Sequence, residues 1–502
     1  MKKITVIMAM ALLAVLTGCH QVSVPSTFSQ VSKSPTIYPD YKDVTVPVNI
    51  APLTFEWDGQ CDEIIGRFRS GDYELVSGGE SVQPPMDDWR QLLQKAAGKA
   101  IDVEVFARQG EQWSRYTPFK IYVSNDSIDP YISYRLISPS YVAYEELTLN
   151  QRCLENYDEE VMVDNMLCGT EKNGQCVNCH NYQQYNPGRM QFHARQHHGG
   201  TVIVYDGKVR KVNMKNDSII SAGVYPAWHP WLPLIVYSTN HTSQTFHTRN
   251  LNKIEVFDSA SDLIAYDVAK NEVTNIENDT TEFECFPHWA PDGKTVYYCS
   301  AHLEFRDTIG HDLETIQRAK EVKYALYKKS FDPDTYTFGP RELVYGADSL
   351  DKSATLPRIS PDGRYLMFTL GNYGVFHIWH HEADLYLMDL ADGSVRPMDE
   401  FNSPDTESYH SWSSNGRWVI FSSRRDDGGY TRPFIAHFDK KGHGAKPFEL
   451  PQADPDYHRQ FMKSYNIPEF MRGPVTVSPQ KFASILKGSD GDPVKYVQKL
   501  SK

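Results

Sequence analysis

Pro287-His-Trp-Ala-Pro-Asp-Gly-Lys-Thr-Val-Tyr-Tyr-Cys-Ser300 is the stretch on which the fold turns. Its Asp292-Gly293 pair tolerates the positive φ of a hairpin turn, and apolar residues alternate with polar ones on either side. That pattern predicts strand, tight turn, strand. Three further copies align with it, at 226–239, 357–370 and 410–423. Asp362-Gly363 and Asn415-Gly416 supply the turn in two of them; the copy at 226–239 lacks the glycine, so its turn must be built differently.

Each copy is followed by a second strand-like run, at 262–268, 324–327, 384–390 and 433–439. Two hairpins make a four-stranded blade, and blades that cannot bury both faces alone stack radially into a β-propeller. Four blades are countable in this way. The run Thr201-Val-Ile-Val-Tyr-Asp-Gly-Lys-Val-Arg-Lys-Val212 offers the outer strands of another, which would close the ring at five or six.

Outward from the repeat, the 502 residues are too many for one ordinary domain. The chain opens with Met1-Lys2-Lys3, an apolar run from Ile4 to Leu16, and Thr17-Gly18-Cys19, which reads as a signal sequence with a processing site. Residues 20–43 read as a tether. Alternating runs over 44–140 predict a β-sandwich-like domain with one short helix between Trp89 and Ala97. Periodicity fades over 141–200, which is expected to be a short irregular or helical cofactor-binding segment. Residues 201–451 form the propeller and 452–502 a C-terminal extension, so the fold class is mainly β. The net charge of -13, with Lys and Arg scattered, argues against nucleic acid as a partner.

Cys176-Val-Asn-Cys-His180 carries the chemistry. Covalent haem attachment needs two thiols spaced to add across two vinyl groups and an imidazole directly after the second. Cys176 and Cys179 would form the thioethers of a single haem c, and His180 would ligate the iron. Three other readings stay open: a zinc site drawing on Cys168 with His193, His197 or His198, a disulfide between Cys176 and Cys179, and a degenerate site that has lost its haem. Met190, His193, His197 and His198 are near enough in sequence to supply a second axial ligand. Setting aside Cys19 and the motif leaves Cys61, Cys153, Cys168, Cys285 and Cys299, an odd number, so one thiol at least is free. With the turn centred on Asp292, Cys285 and Cys299 oppose each other and a disulfide is within reach. Centred on Asp292-Gly293, the register moves by one and they face apart.

These motifs carry three resemblances. Leu16-Thr17-Gly18-Cys19 resembles the lipobox of bacterial lipoproteins, which implies acylation of Cys19 and a soluble chain tethered to a membrane by lipid. The turn motif followed by an apolar strand resembles the TolB-type propeller family over roughly 200–451. The stretch holding His180, Asn186-Pro187, Met190, Phe192-His193 and Gly199-Gly200-Thr201 resembles lipoproteins with a short cytochrome-c-like insert ahead of such a propeller. That last resemblance implies Met190 as the distal iron ligand, with His193 as the alternative.

Together they imply a membrane-anchored, periplasm-facing electron-transfer lipoprotein whose propeller docks a redox or envelope protein partner. His20 after the lipid cysteine is not the Asp of inner-membrane retention, which favours the outer membrane. The alternative is a TolB-like scaffold without redox chemistry that binds envelope proteins or peptides in its central funnel. An enzyme is the less favoured reading, since no second cofactor motif is present.

Overall fold

The computed structural model describes residues 22–138, 146–169, 175–252, 254–306, 308–346 and 350–498. Residues 1–19, read above as a signal sequence ending at Cys19, lie outside these residues. Six four-stranded blades surround one axis, and each innermost strand packs against the next around the ring. Blade 1 is Gln175–Tyr182, Met190–Gln196, Gly200–Tyr205 and Lys208–Asn213. Blades 2 to 5 begin with the inner strands Val224–Trp228, Glu282–Trp289, Ser353–Ile359 and Glu407–Trp412. Blade 6 is composite. Its inner strand Ser464–Met471 pairs with Tyr131–Ile137, behind which lie Thr148–Cys153 and Glu159–Asp164. Chain from before the ring and chain from after it thus meet in one sheet.

Three expectations need correction. The segment 141–200 is not irregular or helical: apart from two short 3₁₀ turns, its described residues are mainly strands of blades 6 and 1. The propeller does not begin at 201 or end at 451, because Tyr131–Asp164 and Ser464–Met471 belong to it. Residues 452–502 are likewise no appendage. After the blade 6 strand, the helix Pro479–Gly488 buries Phe482, Ala483 and Leu486, and 492–493 and 495–496 add to the outer strands of blades 1 and 2. Covering outer edges in this way blocks pairing with other chains.

The domain before the ring holds a seven-stranded and a three-stranded sheet. The helix forms over Met86–Ala96, and its apolar stripe Trp89, Leu92, Leu93 and Ala96 packs into the core with Phe68 and Val103. Where a β-sandwich-like domain was expected, the two sheets and the helix share one core. Its core continues into blade 5 through Trp418, Ile420 and Ile435, and Asp129 accepts from the Ser414 amide at 2.6 Å and its hydroxyl at 2.7 Å.

The turn motifs behave as their residues dictate. Gly293, Gly363 and Gly416 have φ of 60°, 74° and 65°, where a Cβ is disfavoured. The side chains of Asp292, Asp362 and Asn415 accept from the amides of Lys294, Arg364 and Arg417. In the glycine-less copy, His229 Nδ1 accepts from the amides of Trp231 and Leu232, so an imidazole does the work of the turn.

A second repeat runs beneath the first. Every inner strand contains one bulge, in which two residues oppose one on the neighbouring strand. The first bulge residue is at positive φ in all six blades: Cys179, Tyr225, Phe286, Leu356, Tyr409 and Ile467, between 48° and 54°. The second is Pro226, Pro287, Pro357 or Pro468 in four blades, where a missing N–H costs nothing. In the other two it is His180 and His410. The residue facing each bulge is aromatic, Phe192, Tyr237, Tyr298, Phe368, Phe421 and Tyr134 in the same order, and each is 0% exposed. A bulge widens the strand, and an aromatic ring fills the space between blades.

Candidate functional site: a funnel on the propeller axis

Cys179 and His180 are the two bulge residues of blade 1. His180 is 1% exposed and neither ring nitrogen has a well-formed hydrogen bond among the described residues. Its ring lies against the backbone of Ser133 and Ile467 in blade 6, and burial, with Arg135 adding to it, pushes its pKa down to about 3. His410, at the same position of blade 5, reaches the preceding blade in the same way, its Nε2 lying 3.0 Å from the Met367 carbonyl. Ser133 and Met367 hold equivalent register positions, opposite Glu469 and Arg358.

Met190 is 0% exposed and packs in an apolar layer with Phe192, Val204 and Phe482. His193, three residues on, points to the opposite face of its strand. Its Nδ1 lies 3.1 Å from Thr201 Oγ1, and burial pushes its pKa down to about 3. Cys176 belongs to the same apolar layer as Met190, and Asn178 Nδ2 lies 3.6 Å from its Sγ. Of the haem motif, Cys179 and His180 border a void on the axis of about 20 Å³, room for about one water and not for a porphyrin. Cys176, Cys179 and His180 therefore do not fit a haem as they stand. The thiols have different surroundings, and a porphyrin would have to displace the inner strand of blade 1. Both thiols are free, which leaves the disulfide reading without a bond. Among the described residues no group of three or more His, Cys, Asp or Glu is arranged to hold a metal ion.

One step beyond the bulges the axis widens into a cavity of about 150 Å³. Each blade contributes the residue after its bulge: Asn181, Ala227, His288, Arg358, Ser411 and Glu469. The next residue along is apolar in every blade, with Trp228, Trp289 and Trp412 among them. Trp289 Nε1 donates to the Ala227 carbonyl at 3.1 Å and Trp412 Nε1 to the Arg358 carbonyl at 3.1 Å, so these indoles staple their blades to the one before while walling the cavity. The turn prolines Pro230, Pro291 and Pro361 line the wide end. Toward the narrow end, Arg358 and Glu469 border both the cavity and the small void.

The electrostatics of this floor are unbalanced. Burial pushes the Glu469 carboxyl up to about 7, although Arg358 and a 3.0 Å hydrogen bond from Asn181 Nδ2 pull it back. His288 is held neutral by burial and by Arg358 and His410. Sequence reading missed this ring, because its residues share no type. The signal was the bulge pair before each of them, visible as Cys179-His180, Tyr225-Pro226, Phe286-Pro287, Leu356-Pro357, Tyr409-His410 and Ile467-Pro468.

At the other end of the inner strands a long hairpin, Leu234–Phe246 with Ile254–Asp267, reaches from blade 2 to blade 4. There Glu255 is joined by Tyr373 at 2.6 Å and His380 at 2.9 Å. Burial alone would lower the His380 pKa, but Glu255 and Glu382 outweigh it and hold it up at about 9. The His377–His381 run is thus an ion-paired latch, with His377 Nδ1 3.0 Å from Thr355 Oγ1. No helix among the described residues is long and apolar enough to cross a membrane.

No known family profile matches the sequence, and no curated protein matches it. Among solved structures, an ACO/RPE65 chimera aligns at 11% identity over 89% of this chain and 97% of its own, with a TM-score of 0.38. The tricorn protease aligns at 12% identity over 74% of this chain and 34% of its own, TM-score 0.34. The periplasmic gluconolactonase PpgL of Pseudomonas aeruginosa aligns at 10% identity over 64% of this chain and 96% of its own, TM-score 0.30.

Proposed function

We propose that this chain is a lipid-tethered propeller that binds a ligand in its central funnel, the scaffold reading of a TolB-like protein, and not an electron carrier. The observation that carries it is a contrast between adjacent repeat positions. Positive-φ residues, prolines or histidines, and apolar walls recur blade after blade because packing demands them. The position between them holds Asn181, Ala227, His288, Arg358, Ser411 and Glu469, six different residues facing one cavity. Packing does not explain that asymmetry, whereas recognition of an asymmetric ligand does. A cavity walled by aromatics with a few converging polar groups is the usual form of a ligand site.

Electron transfer rests on the spacing of Cys176, Cys179 and His180 and on the resemblance of the stretch through Thr201 to cytochrome-c-like inserts, and it would require blade 1 to give up its inner strand to seat a haem. The funnel reading is tested with the mature chain and Ala227→Phe, which fills the cavity from the smallest ring position. Thermal shifts are measured with acetate, N-acetylalanine, N-acetylalaninamide, spermidine, inorganic phosphate, and a tripeptide with free or blocked termini. The expected result is that some of these raise the melting temperature of the parent chain and none does so for Ala227→Phe. A panel without effect on the parent, or with equal effect on both, overturns the reading.

A further inference from the structure

Arginine carries five donors in a rigid fork, and burying it without partners is costly. Three other arginines obey that rule. Arg152 donates to the carbonyls of Tyr157 and Pro451. Arg432 donates to those of His458, Phe461 and Lys463. Arg425 pairs with Glu407 at 3.1 Å. Arg358 breaks the rule. Its half-buried side chain lines the cavity on the propeller axis, the surrounding desolvation lowers its pKa, and it makes no hydrogen bond or ion pair among the described residues. Glu469 faces the same cavity from blade 6 but holds Asn181 and does not close on Arg358.

We propose that the floor of the funnel is a carboxylate site, in which the Arg358 guanidinium takes both oxygens of a small monocarboxylate whose apolar body lies against Trp228, Trp289 and Trp412. This rests on the funnel reading above and names its ligand class. The planar fork matches a carboxylate in two parallel hydrogen bonds. Arg358 is the one Lys or Arg among the described residues that line this cavity, so beside the Glu469 carboxyl it suits a monoanion, since a dianion would meet Glu469 with no second such side chain in the lining to offset it. A cavity of about 150 Å³ holds a carboxylate and a body of a few heavy atoms. Two sources present that chemistry: a free small carboxylic acid, and the C-terminal residue of an extended chain entering carboxylate first.

Titration calorimetry on the mature chain compares N-acetylalanine with N-acetylalaninamide, and a tripeptide having a free C-terminus with its amide. The acids are expected to bind at least tenfold tighter than the amides. Arg358→Gln is expected to erase that difference without changing the amides, and Arg358→Lys to restore part of it. Binding by the free-terminus tripeptide assigns the site to chain ends; binding by N-acetylalanine alone assigns it to small acids. Equal affinity for acid and amide, or a difference that survives Arg358→Gln, overturns the carboxylate site, as does inorganic phosphate displacing N-acetylalanine with the higher affinity. The acid–amide comparison in the parent chain does not depend on the variants folding. If neutral or cationic probes bind the parent and fail on Ala227→Phe while no acid binds, the funnel reading stands and the carboxylate inference alone falls.

Discussion

Blade 1 and blade 5 place a histidine at the same point of the same bulge, and the sequence invites opposite readings of the two. His410 follows Tyr409 and reads as part of a strand motif, whereas His180 follows Cys179 in a pattern that suggests haem. In the structure each sits one step after a residue at positive φ, is almost fully buried, and turns its ring toward the second strand of the preceding blade. A short motif inside a repeat protein therefore has to be compared first with the other copies of its own repeat. Cys179-His180 is the blade 1 version of Tyr225-Pro226.

The largest expected effect concerns what makes the two blades equivalent, the closed ring. Removing 464–502 takes the inner strand out of blade 6, and blades 1 and 5 each lose a neighbour. Circular dichroism and thermal unfolding should show loss of the cooperative transition. A truncated chain with the parent's melting curve would contradict the composite blade.

Substitution at the histidines sharpens the comparison directly. His410→Ala removes a buried hydrogen bond and should cost about 1–3 kcal/mol in denaturant unfolding. His180→Pro installs the residue that four other blades already use there and should cost about 1 kcal/mol or less. Severe destabilisation by His180→Pro together with a silent His410→Ala would break the equivalence.

The same two-blade logic holds for the position two residues before the bulge, which is glutamate in blades 3 and 5. Glu407 accepts from Ser403, Ser423 and Arg425. Glu284 has no hydrogen-bond partner for either oxygen among the described residues, and burial, with Glu277 and Asp262 nearby, pushes its pKa up to about 9. Above the ordinary carboxylate range the unfolded chain releases this proton while the folded chain keeps it, so stability falls with rising pH until about 9. Glu284→Gln should stabilise by at least about 1 kcal/mol at pH 8 and little at pH 4, whereas Glu407→Gln should destabilise at both. Equal responses in thermal melts at the two pH values would refute the distinction.

The smallest effect is chemical rather than energetic. Cys285 and Cys299 are directly opposed, and Cys299 Sγ lies 3.3 Å from the Cys285 carbonyl with no bond between the sulfurs. Both should alkylate in denaturant without reductant. A species that alkylates only after reduction would reveal a cross-strand disulfide.

Much of the fold was legible because strand–turn–strand copies with Asp-Gly or Asn-Gly announce themselves through backbone conformation. The outer strands read at Thr201–Val212 are those of blade 1. The inner half of blade 1 and the whole of blade 6 escaped for a physical reason: His180-Asn-Tyr182 and Pro468-Glu-Phe470 keep the bulge but lack the tight turn that follows it elsewhere. Blade 6 also joins strands about 330 residues apart in the chain, a pairing that no local pattern can show (Ser133 with Glu469, for example). The two registers considered for Cys285 and Cys299 are both present in one hairpin. Trp289 pairs with Val296 near the turn, and the bulge at Phe286-Pro287 then shifts the ladder so that the cysteines face each other. The funnel was not legible, because its ring is defined by register and not by residue type.

The central claim is that Cys179-His180 is a propeller bulge and not a haem anchor. The direct measurement is to express the mature chain with a c-type haem maturation system, purify it, and extract with acidified organic solvent. The account predicts a colourless polypeptide with no haem-type absorption band after reduction. Haem that stays with the polypeptide through extraction, and is lost in Cys176→Ser, would contradict it.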